Sequence, residues 1–129
     1  MADTYGRVNV SPKGTGSLKI IKVNKLIWLN LTDIDNETDA HLLKQPCMTL
    51  MFCSFKGKPF ILCVYGRPRA IHHRDGEWTK WITLFSEYPW FAKNMHGHGN
   101  SAQTSCSFAV PSFDYQEDRK DLVYWTNKI

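Results

Sequence analysis

The sequence predicts a mostly β fold, a β-barrel that carries a few small helices. Two segments, 48–55 and 59–66, are apolar on both faces and flank a Lys-Gly-Lys turn, which indicates a buried hairpin. The predicted order of elements is β-β-β-α-β-β-α-β-α, which lacks the regular strand and helix alternation of a doubly wound sheet. At 129 residues, of which 43% are hydrophobic, the chain is long enough to form one core.

The first third of the chain contains three predicted strands and a helix. In the stretch "GRVNVSPKG", residues 6–14, apolar and polar residues alternate until Pro12 ends the strand. Segments 18–23 and 25–31 form a hairpin with its turn at Asn24. A helix is expected over 36–45, because acidic residues lie in its first turn and a proline follows its end.

The rest of the chain is predicted to alternate between strands, helices and loops. The strand that begins at residue 59 is extended by 67–71, and Asp75 caps a helix that runs to about Tyr88. Four apolar residues recur at helical spacing in that helix. They are Trp78, Trp81, Ile82 and Phe85. Beyond it we expect an irregular segment over 89–100, a strand over 101–110 and a closing helix over 114–127.

Composition excludes several classes of protein. The net charge of +4 is spread along the chain without a basic block, so the sequence indicates no nucleic-acid groove. No apolar run approaches the roughly 18 residues that a membrane span needs. The N-terminus lacks the layout of a secretory signal, so a cytoplasmic protein is expected. The four cysteines form no CxxC pair and are expected to be buried thiols.

The end of the first strand is a candidate anion site. Lys13 follows Ser11 and Pro12 and precedes Gly14, so its ammonium and nearby backbone N–H groups can hold an anion. The N-terminus of the 36–45 helix, with the Thr38 hydroxyl, supplies a second positive element. The alternative interpretation is a solvated turn lysine.

No catalytic set is identified from the sequence, and no metal site is expected. His96 and His98 are interpreted as part of a mobile glycine-rich loop, because a metal needs three or four convergent ligands. Cys53 and Cys63 lie within apolar strands and are interpreted as inert core thiols. Cys106 is the cysteine that we would test for reactivity.

The late strand "SAQTSCSF" is unusually polar. Alternation places Gln103 and Ser105 on one face of the strand and Thr104 on the other. Taken by itself, this pattern is typical of a polar outer face in contact with water.

Three motifs in order resemble one known family. They are "GRVNVSPKG", "NETDAHLLKQPCMTLMFCSFKGKPFILCVYGRPR" and "QTSCSFAVP". Together they are similar to the pyridoxamine 5′-phosphate oxidase-like family of FMN-binding split barrels, in particular to its small single-domain branch. The resemblance covers nearly the whole chain. It implies that residues 1–129 form one split-barrel domain, without the usual N-terminal helix and most of the first strand.

The resemblance also implies a cofactor, an assembly and a site. FMN is expected in a groove between the subunits of a homodimer, and the two-sided apolar hairpin independently predicts a dimer. The implied function is a flavin-dependent oxidoreductase acting on an unidentified small molecule, and the alternative is a non-catalytic module that binds flavin or another small ligand. The implied cofactor-binding residues are Arg7, Asn9, Val10, Ser11, Pro12, Lys13, Thr32, Asn36, Glu37, Thr38, Gln103 and Thr104.

Three positions depart from the family pattern. Glu37 and Thr38 occupy the place of a basic pair in the vitamin B6 enzyme, and Cys63 occupies a place where relatives often carry a basic residue. The B6 enzyme's C-terminal substrate segment has no counterpart in this sequence. The resemblance therefore does not extend to oxidation of pyridoxamine phosphate.

Overall fold

Five strands form one antiparallel sheet in the computed structural model. The structure describes residues 6, 10–14, 16–30, 42–85, 93–121 and 124. Over 93–98 it describes only the backbone. The order of strands across the sheet is β1-β2-β5-β4-β3. Their bounds are Leu18–Lys22 for β1, Lys25–Asn30 for β2, Met48–Cys53 for β3, Ile61–Ile71 for β4 and Lys93–Ser105 for β5. This mostly β architecture with small helices confirms the predicted fold class and is consistent with a split barrel.

The two predicted hairpins are both present. β1 and β2 pair across the turn at Asn24, and β3 pairs with β4 across the Lys-Gly-Lys turn. Gly57 in that second turn has a φ of +77°, a left-handed conformation that glycine adopts without the steric cost of a side chain. As expected, β4 continues through 67–71.

One face of the sheet, which we call the α1 face, is covered by a short helix. This helix, α1, spans Trp78–Ile82 and continues as a 3-10 turn over Thr83–Phe85. The core cluster on this face contains Ile27, Leu29, Ile71, Trp81 and Phe85, with Trp78 and Ile82 packed against it. The four apolar residues that recur at helical spacing therefore all serve the core, as predicted.

The opposite face, which we call the Leu42 face, has its own smaller cluster. Leu42 lies in a helical turn, 42–44, and packs with Trp28 of β2. Leu18, Leu26, Met48 and Ala70 pack around this pair. β2 is therefore buried on both faces, since Ile27 and Leu29 lie under α1 while Trp28 lies under Leu42.

The predicted boundaries are wrong at four places. Residues 93–100, expected to be irregular, belong to β5, which ends at Ser105, so that 106–110 are outside the strand. Residues 10 and 11, which precede Pro12 at the end of the first predicted strand, are not in a strand. Asp75 does not cap α1; its carboxylate accepts a 2.7 Å hydrogen bond from the backbone N–H of His72 within the preceding turn. In the closing segment, 114–120 are not helical.

The segment after β5 returns to the β3–β4 turn. The Phe113 N–H donates to the Phe55 carbonyl oxygen at 2.8 Å, and the two rings meet edge to face at 5.7 Å. Lys56 and Asp114 add an exposed ion pair at 2.9 Å. In the part of the chain that the structure describes, no helix is long and apolar enough to cross a membrane.

Candidate functional site

A tight turn brings Lys13 to the end of β2. The Ser17 N–H donates to the Gly14 carbonyl oxygen at 3.0 Å, and Gly16 between them has a φ of +72°. The Leu29 N–H then donates to the Ser17 carbonyl oxygen at 2.7 Å, which ties the turn to β2. The segment before the turn, which contains Lys13, therefore lies beside the end of β2.

Lys13 is held by two neutral oxygen atoms at this point. Its Nζ donates to Asn30 Oδ1 at 2.8 Å and to Ser11 Oγ at 2.9 Å. Asn30 is the last residue of β2 and is only 4% exposed, so the acceptor is fixed by the sheet. Hydrogen bonds from a charged donor are stronger than neutral ones, so the bond to Asn30 restricts the position of the Lys13 ammonium.

Asn30 is a functional candidate that the sequence did not reveal. In the sequence it appears only as a polar residue that ends the apolar strand "KLIWLN". A polar side chain at the buried end of such a strand is the one signal that could have identified it. Its partner 17 residues earlier in the chain is not deducible from a local pattern.

The second group of predicted site residues lies at the other end of β5. Gln103 is in register with Cys63 of β4, and its Oε1 accepts a 3.2 Å hydrogen bond from the Tyr65 hydroxyl. Thr104 is in register with Leu62. Successive strand residues point to opposite faces, so Gln103 lies on the α1 face and Thr104 on the Leu42 face. The predicted alternation is confirmed, and the two side chains do not share one surface.

These two groups are far apart along one chain. Asn30, which holds Lys13, is in register with Lys93 at the start of β5. Gln103 lies ten residues further along that strand, a path of about 33 Å at 3.3 Å per residue. Within a single chain, the sheet thus places Lys13 and Gln103 in separate regions.

The remaining predicted site residues fall into two sets. Val10 and Pro12 are exposed beside the Lys13 turn, and Ser11 is half-buried. The others lie outside the described residues. They are Arg7, Asn9, Thr32, Asn36, Glu37 and Thr38.

The histidines and cysteines differ from the expectations in several respects. The backbone of 93–98, including His96 and His98, pairs with β2 on one side and β4 on the other, so it is not a loop. The expectation of buried thiols is wrong, because Cys47 and Cys106 are exposed and the other two are half-buried. Among the described residues, no group of three or more His, Cys, Asp and Glu side chains is placed to hold a metal ion.

Comparison with known proteins identifies one similar curated protein. It is the Pyridoxamine 5′-phosphate oxidase family protein ustO of Aspergillus flavus, which is 28% identical over 120 residues that cover 86% of this chain. The chain spans only 46% of the length of that relative. No family model matches the chain, and no solved structure matches it. The similarity to ustO confirms the resemblance that the three sequence motifs indicate, which is to the pyridoxamine 5′-phosphate oxidase family.

Proposed function

We propose that this chain is an FMN-binding protein that acts as a homodimer and serves as a flavin-dependent oxidoreductase on a small molecule. The observation that carries the proposal is the fixed position of Lys13 at the end of β2, because Asn30 and Ser11 together hold a cation where the family resemblance expects the flavin. The similarity to a pyridoxamine 5′-phosphate oxidase family protein over most of the chain supports the same cofactor.

The residues around Lys13 suit the anionic end of FMN. A phosphate accepts hydrogen bonds from an ammonium group, and such charge-assisted bonds are typically worth about 1.5–3 kcal/mol. Asn30 is buried and holds the ammonium from the side of the sheet, so little side-chain freedom is left to lose when a phosphate binds.

The residues around Gln103 suit a neutral, polar partner such as the flavin ring. The amide of Gln103 has both donors and an acceptor, and its bond to the Tyr65 hydroxyl orients it on the α1 face. When bound, FMN supplies the hydride chemistry. The part that we assign to this chain is to hold the ring and to direct polar hydrogens toward it.

The two groups lie ten residues apart along β5 and on opposite faces of the sheet, so we infer that one chain does not offer both to one FMN molecule. A second copy of the chain removes this difficulty if the Lys13 region of one subunit faces the Gln103 region of the other. The exposed apolar residues of the β3–β4 hairpin support such an assembly, since Met51 is 65% exposed and Phe52 is 41% exposed.

The first experiment is an absorbance spectrum of the purified protein, followed by an FMN titration. We expect a flavin spectrum and saturable binding, and Lys13→Ala should weaken the affinity at least about tenfold, the equivalent of one charge-assisted contact. Lys58→Ala removes the same charge from the exposed β3–β4 turn and should leave the affinity unchanged. Equal affinities for the two variants would contradict the role of Lys13.

The second experiment separates an enzyme from a binding module. The FMN-loaded protein is reduced by a chemical reductant in the absence of oxygen, a candidate substrate is added, and the flavin spectrum is followed. Recovery of the oxidised flavin spectrum, with the electrons transferred to the substrate and its reduced product formed, supports an oxidoreductase. Bound flavin that undergoes no turnover with any substrate tested favours the non-catalytic alternative.

A further inference from the structure

A set of basic residues lies on the α1 face at the end of the sheet opposite to Lys13. Lys25 of β2 is in register with residue 98 of β5, which is in register with Arg67 of β4. One rung further, Ile27 is in register with Lys19 of β1, and Arg69 lies on the same side of β4 as Arg67. We call Lys19, Lys25, Arg67 and Arg69, together with Lys80 of α1, the basic rim.

Aromatic rings of the core hold the lysines of the basic rim. The Nζ atoms of Lys25 and Lys80 lie 5.2 and 4.8 Å from the centroid of the Trp81 ring, and that of Lys19 lies 6.0 Å from the Phe85 ring. Trp81 and Phe85 are themselves buried. Cation–π contacts of this kind are weak, but they restrict where each ammonium lies. The three cations are therefore gathered around the edge of one core cluster.

The charge of the basic rim is only partly neutralised in the part of the chain that the structure describes. Glu77 accepts a 2.6 Å bond from Arg69 and a 3.2 Å bond from the Trp81 indole. Five basic groups and this one carboxylate leave a net charge of +4, equal to that of the whole chain. Arg67 is exposed at the β4 side of the set. This surface therefore holds a concentration of positive charge.

The spacing of the basic rim favours a ligand with several negative groups. Neighbouring strands are about 4.8 Å apart and rungs on one face about 7 Å apart, so the backbones of Lys25 and Arg67 are about 10 Å apart. Flexible side chains can converge from such positions on two or three linked phosphates. An arginine guanidinium adds a bidentate grip on phosphate oxygens. A second copy of this chain is disfavoured here, because it carries the same positive charge.

We propose that the basic rim binds a di- or triphosphate group, in a site separate from that of Lys13. Lys25 begins β2 and Asn30 ends it, five residues or about 17 Å along the strand. The proposal does not depend on flavin binding. A phosphoanhydride-containing ligand could thus occupy the protein with or without FMN.

Isothermal titration calorimetry with inorganic tripolyphosphate at low ionic strength tests this proposal. We expect saturable binding by the wild-type chain and at least a tenfold loss of affinity in the double variant Arg67→Gln/Lys80→Gln. The double variant Lys44→Gln/Lys58→Gln removes the same charge from exposed positions elsewhere and should bind as the wild type does. FMN affinity should be the same in both double variants.

Three results would overturn the proposal. The first is no tripolyphosphate binding by the wild-type chain. The second is an equal loss of affinity in the two double variants, which would show a response to net charge alone. The third is loss of tripolyphosphate binding in Lys13→Ala, which would place the ligand at the Lys13 turn. Circular dichroism of each variant confirms that the sheet is retained.

Discussion

The two halves of β4 differ in how they are covered. In the half that we call the covered half, 67–71, Ile71 is fully buried beneath α1, and Ala70 packs into the Leu42 cluster. In the half that we call the hairpin half, 61–65, every residue is half-buried or exposed, and Tyr65 is 37% exposed. The hairpin half, ILCVY, is wholly apolar, whereas the covered half, RPRAI, contains two arginines, so the more apolar half is the less buried one. Composition alone therefore does not decide which half of the strand is buried.

The difference shows over which part of β4 other described segments of the same chain pack. Within the described residues, α1 and the 42–44 turn pack over β2 and the covered half of β4. The contacts of the 112–114 segment are to Phe55 and Lys56, in the turn that precedes the hairpin half. An apolar surface of this kind typically marks an interaction site, so the hairpin half is the contact surface that we propose for the proposed homodimer.

The largest expected effect is in the covered half. Ile71→Ala removes a fully buried side chain from the α1 cluster and should lower the free energy of unfolding by about 2–5 kcal/mol. Ile61→Ala, the same substitution ten residues earlier on the same strand, should cost less in dilute solution, because Ile61 is only half-buried. Urea denaturation at low protein concentration measures both. Equal losses would remove the distinction between the halves.

The next effect concerns β3, whose Met51 is in register with Cys63 of the hairpin half. Met51→Glu places a charge on an exposed apolar position of β3 and should convert a dimer into a folded monomer, since burying an unpaired carboxylate is costly. Sedimentation velocity at micromolar concentration measures the change, and circular dichroism shows that the sheet is intact. A wild-type chain that sediments as a monomer, or a variant that remains a dimer, would contradict the assignment of this surface.

A smaller effect is expected at the edge of the covered half. Glu77 bonds both Arg69 and the Trp81 indole, but Arg69 and Glu77 are each about half exposed, so the ion pair is screened by water. Glu77→Gln should therefore destabilise the fold by about 1 kcal/mol or less. The difference in melting temperature between the wild type and the variant should shrink when about 0.5 M salt is added, because salt at this concentration screens exposed ion pairs. A loss that salt does not reduce would show that the indole contact dominates.

The smallest effect is expected at the turn that joins β3 to the hairpin half. Lys56 and Asp114 form an ion pair in which both side chains are largely exposed. Lys56→Gln should change the free energy of unfolding by only a few tenths of a kcal/mol, as is usual for such pairs. A thermal melt suffices to measure it. A large loss would indicate that this pair, and not the Phe55–Phe113 contact, holds the returning segment.

Sequence patterns predicted the strands where local periodicity is clear. The hairpins β1–β2 and β3–β4 were predicted because each has alternating or continuous apolar residues beside a turn signal. The first part of β5 was missed because Gly97 and Gly99 weaken the strand signal. Its stability comes from pairing with β2 and β4 on both sides, which is a tertiary effect that local propensity does not contain.

The candidate site was only partly predictable. Lys13 was identified from its place after a proline at the end of a segment, but its partner Asn30 depends on a turn that folds 17 residues back on themselves. Gln103 and Thr104 were selected as a pair from the family resemblance. The register separates them onto opposite faces, which the alternation already implied.

The most direct test of the central proposal, an FMN site shared by two subunits, is complementation between two defective chains. Lys13→Glu repels the phosphate, and Gln103→Trp blocks the exposed position opposite Cys63. Each variant alone should bind no FMN at a concentration that saturates the wild type. The two variants are then coexpressed with different tags, and the heterodimer is isolated by tandem purification.

In a shared site, one of the two sites of this heterodimer contains both wild-type residues and the other contains both substitutions. We therefore expect one FMN per heterodimer, measured by the absorbance of the bound flavin against protein concentration. If both residues serve a site within one chain, every site in the heterodimer carries a defect. A heterodimer that binds no FMN, while the wild-type dimer binds two, would contradict the shared site.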